Sequence, residues 1–384
     1  MRDRAGKFVM QPAGFKAFVP KPLPPSPSIR YDGKLQSLLS KADRALARLD
    51  GITTVLPNPD LFIAMYVKKE ALLSSQIEGT QASLEGILEF EADLIPKEGL
   101  DEIKEVVNYI KALNYGMTRL QKLPMSLRLI KEIHKILLEE TRGATRNPGE
   151  FRRSQNWIGP PGFPISEAIF IPPPPDLVIP GMGELEKFLH RESNIPPLVK
   201  IALVHAQFET IHPFLDGNGR IGRLLITFYL SWKGILSKPL LYLSFYLKKK
   251  KVEYYDLLMK VRTEGAWEDW IIFFLAGIHE TSEEAANTAR AIIQLKEDLI
   301  RKLYESSVAS IYGAKLIDLL FITPLLSVKE ISGKLNISKE AANELVKRFE
   351  KITILKEITG KQRYKKYSFV PYIEIIARGT RNSL

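Results

Sequence analysis

The chain has 384 residues, of which 45% are hydrophobic and 26% are charged, enough for a packed core and for two or three domains. It contains no cysteine, which excludes disulfides, cysteine zinc sites and thiol catalysis and favours a reducing compartment. Its net charge is +11; its N-terminus lacks an apolar signal core and its apolar stretches are too short or too charged to cross a bilayer, so we expect a cytoplasmic protein without a membrane partner.

The N-terminal part of the chain reads as an arm followed by helices. Residues 1–30 are Pro-rich, and we expect them to be extended on the surface. Leucines at helical spacing begin near Tyr31. A second helix is predicted to start after Asn58, a suitable N-cap, and to run to Glu78. Gly79 then supplies the left-handed residue that ends a helix.

The middle of the chain is helical except for one long loop. Residues 143–181 contain repeated prolines, and a loop of this length inside a domain is usually functional or disordered. Within it, the segment Ile165 to Ile171 is predicted to form a short hairpin. The predicted helices of this region are two within 101–141, separated by Pro124, and others at 182–192, 197–211, 220–233 and 251–305.

The last 70 residues have a different character. They hold 14 Lys+Arg against 7 Asp+Glu, which gives +7 of the total charge and suggests a polyanionic partner. A capping box at Ser327 opens one helix, and Ser338 caps a second over 339–350. Two strands, 353–358 and 363–370, follow. This order predicts a winged-helix-like domain over 311–384, a type of domain that binds DNA or serves as a protein-binding or dimerisation module. The wing would be basic through Lys361, Arg363, Lys365 and Lys366.

The twelve residues 212–223, HPFLDGNGRIGR, gather the groups needed to hold a polyphosphate and move a proton beside it. A helix precedes the glycines, so the G-x-G-x-x-G match is not a dinucleotide fingerprint, which needs a strand there. The glycines and the following helix N-terminus suit an anion. The nearby side chains suit three roles: Arg220 and Arg223 for phosphate oxygens, Asp216 for Mg²⁺, and His212 as proton acceptor with a pKa near neutrality.

This segment matches every defined position of the Fic signature, H-x-F-x-[DE]-G-N-G-R-x-x-R, and the chain is identified as a member of the Fic family on that resemblance. Residues 148–159 and 163–175 resemble the family's flap region, and residues 1–95 its N-terminal segment. The resemblance implies a protein adenylyltransferase that moves AMP from ATP, with Mg²⁺, to a Ser, Thr or Tyr hydroxyl. By position, His212 would be the base and Asp216 the metal ligand. The ATP-binding residues would be Gly217, Asn218 on the α-phosphate, Gly219, Arg220 on the β-phosphate and Arg223 on the γ-phosphate.

A second family pattern lies earlier in the chain. Ser74 to Gly79 fits the inhibitory pattern [ST]-x-x-x-E-[GN], which implies that Glu78 pairs with Arg223 and blocks the γ-phosphate contact. We further expect the flap residues Ile169, Phe170 and Ile171 to dock an extended segment of the target protein by strand addition.

The expected fold is mainly α: a Fic-type helical bundle with a short β-hairpin flap and a small C-terminal α+β domain. The predicted divisions are an arm at 1–30, a helical segment with the inhibitory helix at 31–100, a catalytic domain at 101–285, a linker helix at 286–310 and the winged-helix-like domain. Two other functions stay open: a DNA-binding regulator whose Fic part senses nucleotide, and removal of AMP from a modified protein. Self-modification and homodimerisation are further expectations.

Overall fold

The computed structural model describes residues 4–56, 59–91, 99–160, 162–305, 310–360 and 363–378. It confirms a mainly α-helical chain with small antiparallel sheets. None of the helices in these ranges is long and apolar enough to span a membrane. Two residues on which predictions fell, Asn58 and Lys361, lie outside the described residues.

The N-terminal stretch contains a β-hairpin that the sequence reasoning missed. Strands β1 (Gly6–Met10) and β2 (Lys16–Pro20) pair in antiparallel fashion. The Phe18 ring is fully buried, and its N–H donates to the carbonyl of Ile171 at 2.9 Å. This part of the chain is therefore docked into the fold, whereas we expected a surface arm. The prolines between 20 and 30 dominated the composition and hid the two short strands before them.

Eleven helices form the main body within the described residues. They are α1 (Gly33–Val55), α2 (Pro59–Ile77), α3 (Leu84–Glu91), α4 (Leu100–Arg119), α5 (Leu127–Leu137), α6 (Val178–His190), α7 (Pro197–Ile211), α8 (Asn218–Trp232), α9 (Ser244–Lys249), α10 (Lys251–Glu264) and α11 (Trp267–Glu305). The helix α7 is buried from Leu198 to Ile211 because α6, α8, α10 and α11 pack around it. It is the central helix, and its C-terminal end carries the candidate site.

The helix bounds agree with the predicted ones to within a few residues, which is the usual uncertainty of helix ends. Gly79 has the predicted left-handed conformation, with φ +100°. The short helices α3 and α9 were not predicted, and the predicted helical region 251–305 is divided at Gly265 into α10 and α11. The long helix α11 packs along α1 and continues without a break through residue 285, where we placed the end of the catalytic domain.

The flap is the clearest local departure from the prediction. The segment Ile165 to Ile171 does not form a hairpin; Ile165–Glu167 is a single 3-10 turn. One isolated antiparallel bridge between Ile158 and Phe170 closes the loop instead. Prolines on both sides of the segment remove backbone donors, so a longer ladder cannot form.

The C-terminal domain has the predicted helix–turn–helix and wing. It consists of α12 (Ile311–Ile322), β3 (Leu325–Ser327), α13 (Val328–Leu335), α14 (Lys339–Lys351), β4 (Lys356–Glu357), β5 (Lys366–Ser368) and α15 (Val370–Ile376). The strands form a sheet in the order β3-β5-β4. The capping box at Ser327 and the Ser338 cap are both present. The sequence reasoning missed α12, β3 and α15 and made the two wing strands too long.

Candidate active site

The loop between α7 and α8 brings the signature residues together. Helix α7 ends at Ile211; the next residue, His212, adopts the left-handed conformation with φ 49°, and Gly217 adopts it again with φ 75° just before α8. The Asn218 side chain closes the loop: its Oδ1 accepts from the Phe214 N–H and its Nδ2 donates to the Phe214 carbonyl, both at 2.8 Å. Phe214 itself is fully buried and anchors the loop in the core.

The two hydrogen bonds change the role we assigned to Asn218. Its side chain is committed to the loop, so the group it can offer to a phosphate is its backbone N–H. Asn218, Gly219 and Arg220 form the first turn of α8, whose N–H groups have no intrahelical acceptors. The N-cap residue, Gly217, has no side chain to cap this turn, and its own N–H donates to Asp216 Oδ1 at 2.6 Å. The turn therefore presents several N–H groups and the positive end of the helix dipole to an anion.

A buried histidine that the sequence reasoning missed, His134, supports the loop by stacking and hydrogen bonding. The ring of His134 stacks on Phe214 with centroids 3.7 Å apart. Its Nδ1 accepts from the Gly149 N–H at 2.8 Å, so its Nε2 carries the proton and donates to the Asp216 carbonyl at 3.0 Å. Burial lowers the pKa of His134 to about 4, and the ring is neutral at pH 7. His134 thus fixes the backbone of Asp216, whose carboxylate stays 37% exposed.

Arg220 is buried beside the loop with part of its guanidinium unsatisfied. Its Nη2 lies 3.6 Å from Asp216 Oδ1, and its Nη1 lies 3.6 Å from Glu105 Oε2. Its Nε and Nη1 have no hydrogen-bond partner among the described residues. Glu105, which the sequence did not single out, also accepts from the Thr80 hydroxyl at 2.9 Å and pairs with Arg142 at 2.7 Å. Buried donors without partners are costly, so an incoming anion would be favoured here.

Arg223 is also buried, and its donors are occupied by the end of helix α2. Its Nε donates to Ser74 Oγ at 2.8 Å, and its Nη2 donates to the Ser74 carbonyl at 2.9 Å and to Glu78 Oε1 at 2.7 Å. The predicted Glu78–Arg223 pair is therefore present. Burial alone would raise the pKa of Glu78, but the charge and hydrogen bond of Arg223 hold it below its ordinary value. Glu78 also lies so close to Gly219 that a Cβ there would collide with Oε1.

Two further buried carboxyl groups stand near Arg223. Burial raises the pKa of Glu209 and of Glu70 to about 7 each, against the pull of Arg223, which lowers both. Glu209 Oε1 is buried without a hydrogen-bond partner in the described part of the chain, and Glu70 accepts from the Ser244 hydroxyl at 2.5 Å. Neither residue gave any signal in the sequence, because each is a single Glu on a helix.

His212 lies at the centre of these groups, and its pKa departs from the predicted value near neutrality. Burial and, to a smaller extent, the cations Arg262 and Arg152 lower the pKa of His212 to about 3, while Glu78 and the Glu209 carbonyl act in the opposite direction. The ring is therefore neutral at pH 7, which is the form that can accept a proton. Its Nδ1 is buried and lacks a hydrogen-bond partner among the residues described.

The three flap residues point in different directions. Ile169 is 64% exposed, whereas Phe170 is 2% and Ile171 8% exposed. Phe170 packs on Phe18, and the Ile171 carbonyl is already used by the Phe18 N–H. Ile169 is thus the one side chain of the three that stands ready for a partner.

The site fits a magnesium–phosphate complex better than an all-protein metal site. The described residues contain no cluster of three or more His, Asp or Glu that could hold an ion. Mg²⁺ needs no such cluster because it commonly takes one or two carboxylates together with phosphate oxygens and waters. Asp216 offers a partly exposed carboxylate at the edge of the cationic turn.

Comparison with protein families agrees with this geometry. The profile of the Fic/DOC family matches residues 124–230, and that of the Fic/DOC family N-terminal region matches residues 36–118. The profile of an HTH DNA binding domain matches residues 314–370. These ranges contain the signature loop, the inhibitory pattern and the C-terminal helix–turn–helix, respectively.

Curated relatives and a solved structure that resemble this chain are also named as Fic proteins. The protein adenylyltransferase Fic of Drosophila persimilis is 31% identical over 254 residues, 62% of this chain and 44% of the relative. That of Drosophila virilis is 32% identical over 220 residues, 54% of this chain and 41% of the relative. The chain thus spans less than half the length of these relatives. A Fic family protein from Desulfovibrio desulfuricans shares the fold, with a TM-score of 0.60 at 20% identity over 89% of this chain and 97% of that one.

Proposed function

We propose that this chain, which belongs to the Fic/DOC family, is a protein adenylyltransferase that is inhibited by its own helix α2. The observation that carries the proposal is the convergence, on one loop, of a neutral imidazole, an uncapped helix N-terminus and two buried arginines. Positioning and electrostatic stabilisation supply most of the catalysis in phosphoryl-type transfer, and these groups provide both. The names of the Drosophila relatives support the same activity.

In the proposed reaction a Ser, Thr or Tyr hydroxyl of the target attacks the α-phosphorus of ATP. The oxygen–phosphorus bond to the target forms, the bond between the α-phosphorus and the bridging oxygen to the β-phosphate breaks, and pyrophosphate leaves. His212 accepts the hydroxyl proton. The N–H groups at the start of α8 bind the α-phosphate oxygens, while Arg220 and Arg223 bind the β- and γ-phosphates.

Asp216, whose carboxylate is partly exposed, would hold Mg²⁺ beside the bound nucleotide. A bound magnesium ion neutralises phosphate charge and helps the pyrophosphate to leave. Two other residues position these groups: His134 fixes the loop that carries Asp216, and Glu105 holds Arg220 at the position where the β-phosphate is expected.

The inhibition follows from competition for Arg223. As long as Glu78 occupies Nη2 of Arg223, the γ-phosphate lacks that partner and a carboxylate stands in its place. ATP would then bind in a geometry that does not place the α-phosphorus in line with the target hydroxyl. Release of Glu78 would restore the contact.

Intact-mass measurement after incubation with Mg-ATP tests the reaction. We expect a mass increase of one adenylate on the protein itself or on an added target protein, and ATP labelled at the α-phosphate should transfer its label. Transfer of the γ-phosphate or no covalent change would overturn the proposal. Release of AMP from a modified protein would identify the reverse reaction instead.

For target docking, we propose that the flap offers its backbone and Ile169 to an extended segment of the target. Ile169 is exposed next to the bridge that closes the flap. Replacing Ile169 by Asp should reduce labelling of a target more than it reduces ATP binding. Because Phe170 and Ile171 are buried, substitutions there would test packing rather than docking.

A second function is supported by the C-terminal domain. The match to an HTH DNA binding domain and the exposed side chains of Arg363 and Lys365 in the wing favour contact with a polyanion such as DNA. Lys366 is less available because it pairs with Glu330 at 2.9 Å. A gel shift of the full chain with duplex DNA at several salt concentrations tests this: affinity should fall steeply with salt. The absence of cysteine supports a cytoplasmic location for either function.

A further inference from the structure

Two buried arginines, which have no part in the proposed reaction, contact the C-terminal end of α7. Arg152 precedes the flap and is 2% exposed; Arg262 lies on α10 and is 5% exposed. Neither forms a direct ion pair with a carboxylate in the described part of the chain, although the Glu209 carboxyl interacts with Arg262 through its charge. A buried cation without a direct ion pair is expensive, so hydrogen-bond acceptors must compensate these two.

The compensating groups are the last carbonyls of α7. Arg152 donates from Nε to the His212 carbonyl at 2.9 Å and from Nη2 to the Ile211 carbonyl at 3.3 Å. Arg262 donates from Nη2 to the Glu209 carbonyl at 3.1 Å and from Nε to the Thr210 hydroxyl at 3.2 Å. The last four carbonyls of a helix have no intrahelical partners and carry the negative end of its dipole. Both arginines therefore bind where a cation is favoured.

Each arginine also reaches the flap. Arg152 Nη2 donates to the Pro173 carbonyl at 2.5 Å. The Arg262 guanidinium lies over the Phe170 ring, 3.8 Å from its centroid, which is a favourable cation–π distance. The C-terminal part of the flap is thus tied, at Phe170 and Pro173, to the same helix end that His212 follows.

The backbone of His212 needs such support. Its φ of 49° is a left-handed conformation, which costs a residue with a Cβ roughly 1 kcal/mol or more and persists when the surroundings impose it. Asn156 adds a hydrogen bond to the same carbonyl at 3.3 Å. Because the direction of the imidazole follows from this backbone conformation, the donors to the carbonyl also determine where the ring points.

We propose that Arg152 and Arg262 are positioning residues that clamp the end of α7, fix the direction of the His212 ring and join it to the flap that receives the target. Their planar, multidentate donors suit this task, which the single ammonium of lysine would perform poorly. The inference rests on the role proposed for His212. It adds that the orientation of this base and the docking of the target are coupled through Arg152 and Arg262.

The clamp has an electrostatic consequence. The groups that face His212 are Arg262 from α10, Arg152 from the segment before the flap, Glu78 from the end of α2 and the Glu209 carbonyl of α7. The two cations lower the pKa of His212, whereas Glu78 and the carbonyl raise it. Removing one cation should therefore raise the pKa, so that protonation of the ring begins at a higher pH.

The test compares Arg152→Met and Arg152→Lys in the full-length Glu78→Gly protein. We expect both to lower kcat for AMP transfer by about a hundredfold, the order expected for a misplaced catalytic group, with ATP affinity retained. Only Arg152→Met should raise the pH at which His212 titrates, followed by NMR of histidine-labelled protein, because Arg152→Lys keeps the charge. The Arg262 variants should show the same pattern: both Arg262→Met and Arg262→Lys should lower kcat, and only Arg262→Met should raise the pH at which His212 titrates.

Arg4→Met is the matched control. Arg4 is also 5% exposed and also binds carbonyls, those of Pro27, Ser28 and Gly265, but it pairs with Glu268 and its hydrogen bonds go to neither α7 nor the loop that follows it. The Arg4→Met substitution should lower the stability of the protein to urea without changing the pH at which His212 titrates. If the Arg152 and Arg262 variants match Arg4→Met in kcat and in the titration, the clamp is overturned. The NMR measurement decides this even for a protein that fails to transfer AMP, so failure of the proposed function remains distinguishable.

Discussion

The contact between Glu78 and Arg223 allows a quantitative prediction for Glu78→Gly. The pair is short, at 2.7 Å, and Arg223 is 2% exposed. A hydrogen bond to a charged group contributes about 1.5–3 kcal/mol. Removing Glu78 should therefore increase productive ATP binding, and with it AMP transfer, by about tenfold to somewhat over a hundredfold. Glu78 is 32% exposed, and solvent screening favours the lower part of this range.

The variant should remain folded. Arg223 keeps its two hydrogen bonds to Ser74 when Glu78 is removed. The carboxyl groups of Glu209 and Glu70 are close enough for Arg223 to lower the pKa of both, so they can ionise and take over part of the charge compensation. Loss of one carboxylate therefore does not leave an isolated buried cation.

The assay is transfer of label from ATP carrying a tagged α-phosphate, with ATP affinity measured in parallel. Glu78→Gln is the control: it keeps the length of the side chain but removes the charge, and it should activate less than Glu78→Gly. Adding His212→Ala to Glu78→Gly should abolish the label. If Glu78→Gly changes neither labelling nor ATP affinity, Glu78 does not compete with the γ-phosphate and the reasoning fails.

Three further predictions follow from the site and the tail. His212→Ala should lower AMP transfer by about 10²–10⁴-fold, the usual contribution of a general base, and leave ATP binding in place; near-normal turnover would refute the assigned role. Burial raises the pKa of Glu209 from 4.5 to about 7. The folded protein thus retains a proton that the unfolded chain loses, and the free energy of unfolding should fall as pH rises through that interval. Glu209→Gln should weaken this fall in urea titrations, and an unaltered pH dependence would contradict the shift. Replacing Arg363 and Lys365 by Glu should weaken DNA binding and its salt dependence without changing AMP transfer, and unchanged gel shifts would exclude the wing as the contact surface.

The sequence was most informative where the residues of the candidate site are close together along the chain. The segment 212–223 specifies the loop, the helix N-terminus and the two arginines that we propose to bind phosphate, because glycine, proline and capping residues act locally. The end of α2 at Gly79 was predicted for the same reason. The pairing of Glu78 with Arg223 came from the family pattern, since 145 positions separate the two residues and no local rule joins them.

The support of the site was not visible in the sequence. His134, Glu105, Arg152 and Arg262 are single polar residues on helices or loops, and the sequence alone favours a solvated position for each. Their roles depend on which carbonyls and carboxylates the fold places opposite them. The predicted hairpin in the flap was wrong for a related reason. Whether a Pro-rich segment pairs as strands depends on its neighbours, and here the Phe18 N–H donates to the Ile171 carbonyl.

The way in which α2 is held indicates how the proposed inhibition can be relieved. The last turn of the helix is buried, and Lys251 donates to the Ile77 carbonyl at 2.6 Å. Just beyond the helix, Thr80 donates to the buried Glu105, which also lies against Arg220. Undocking α2 would break these contacts and expose core residues, whereas turning the partly exposed Glu78 side chain costs one ion pair. Since the smaller rearrangement frees the same guanidinium, we expect activation to proceed by movement of Glu78 with the helix in place.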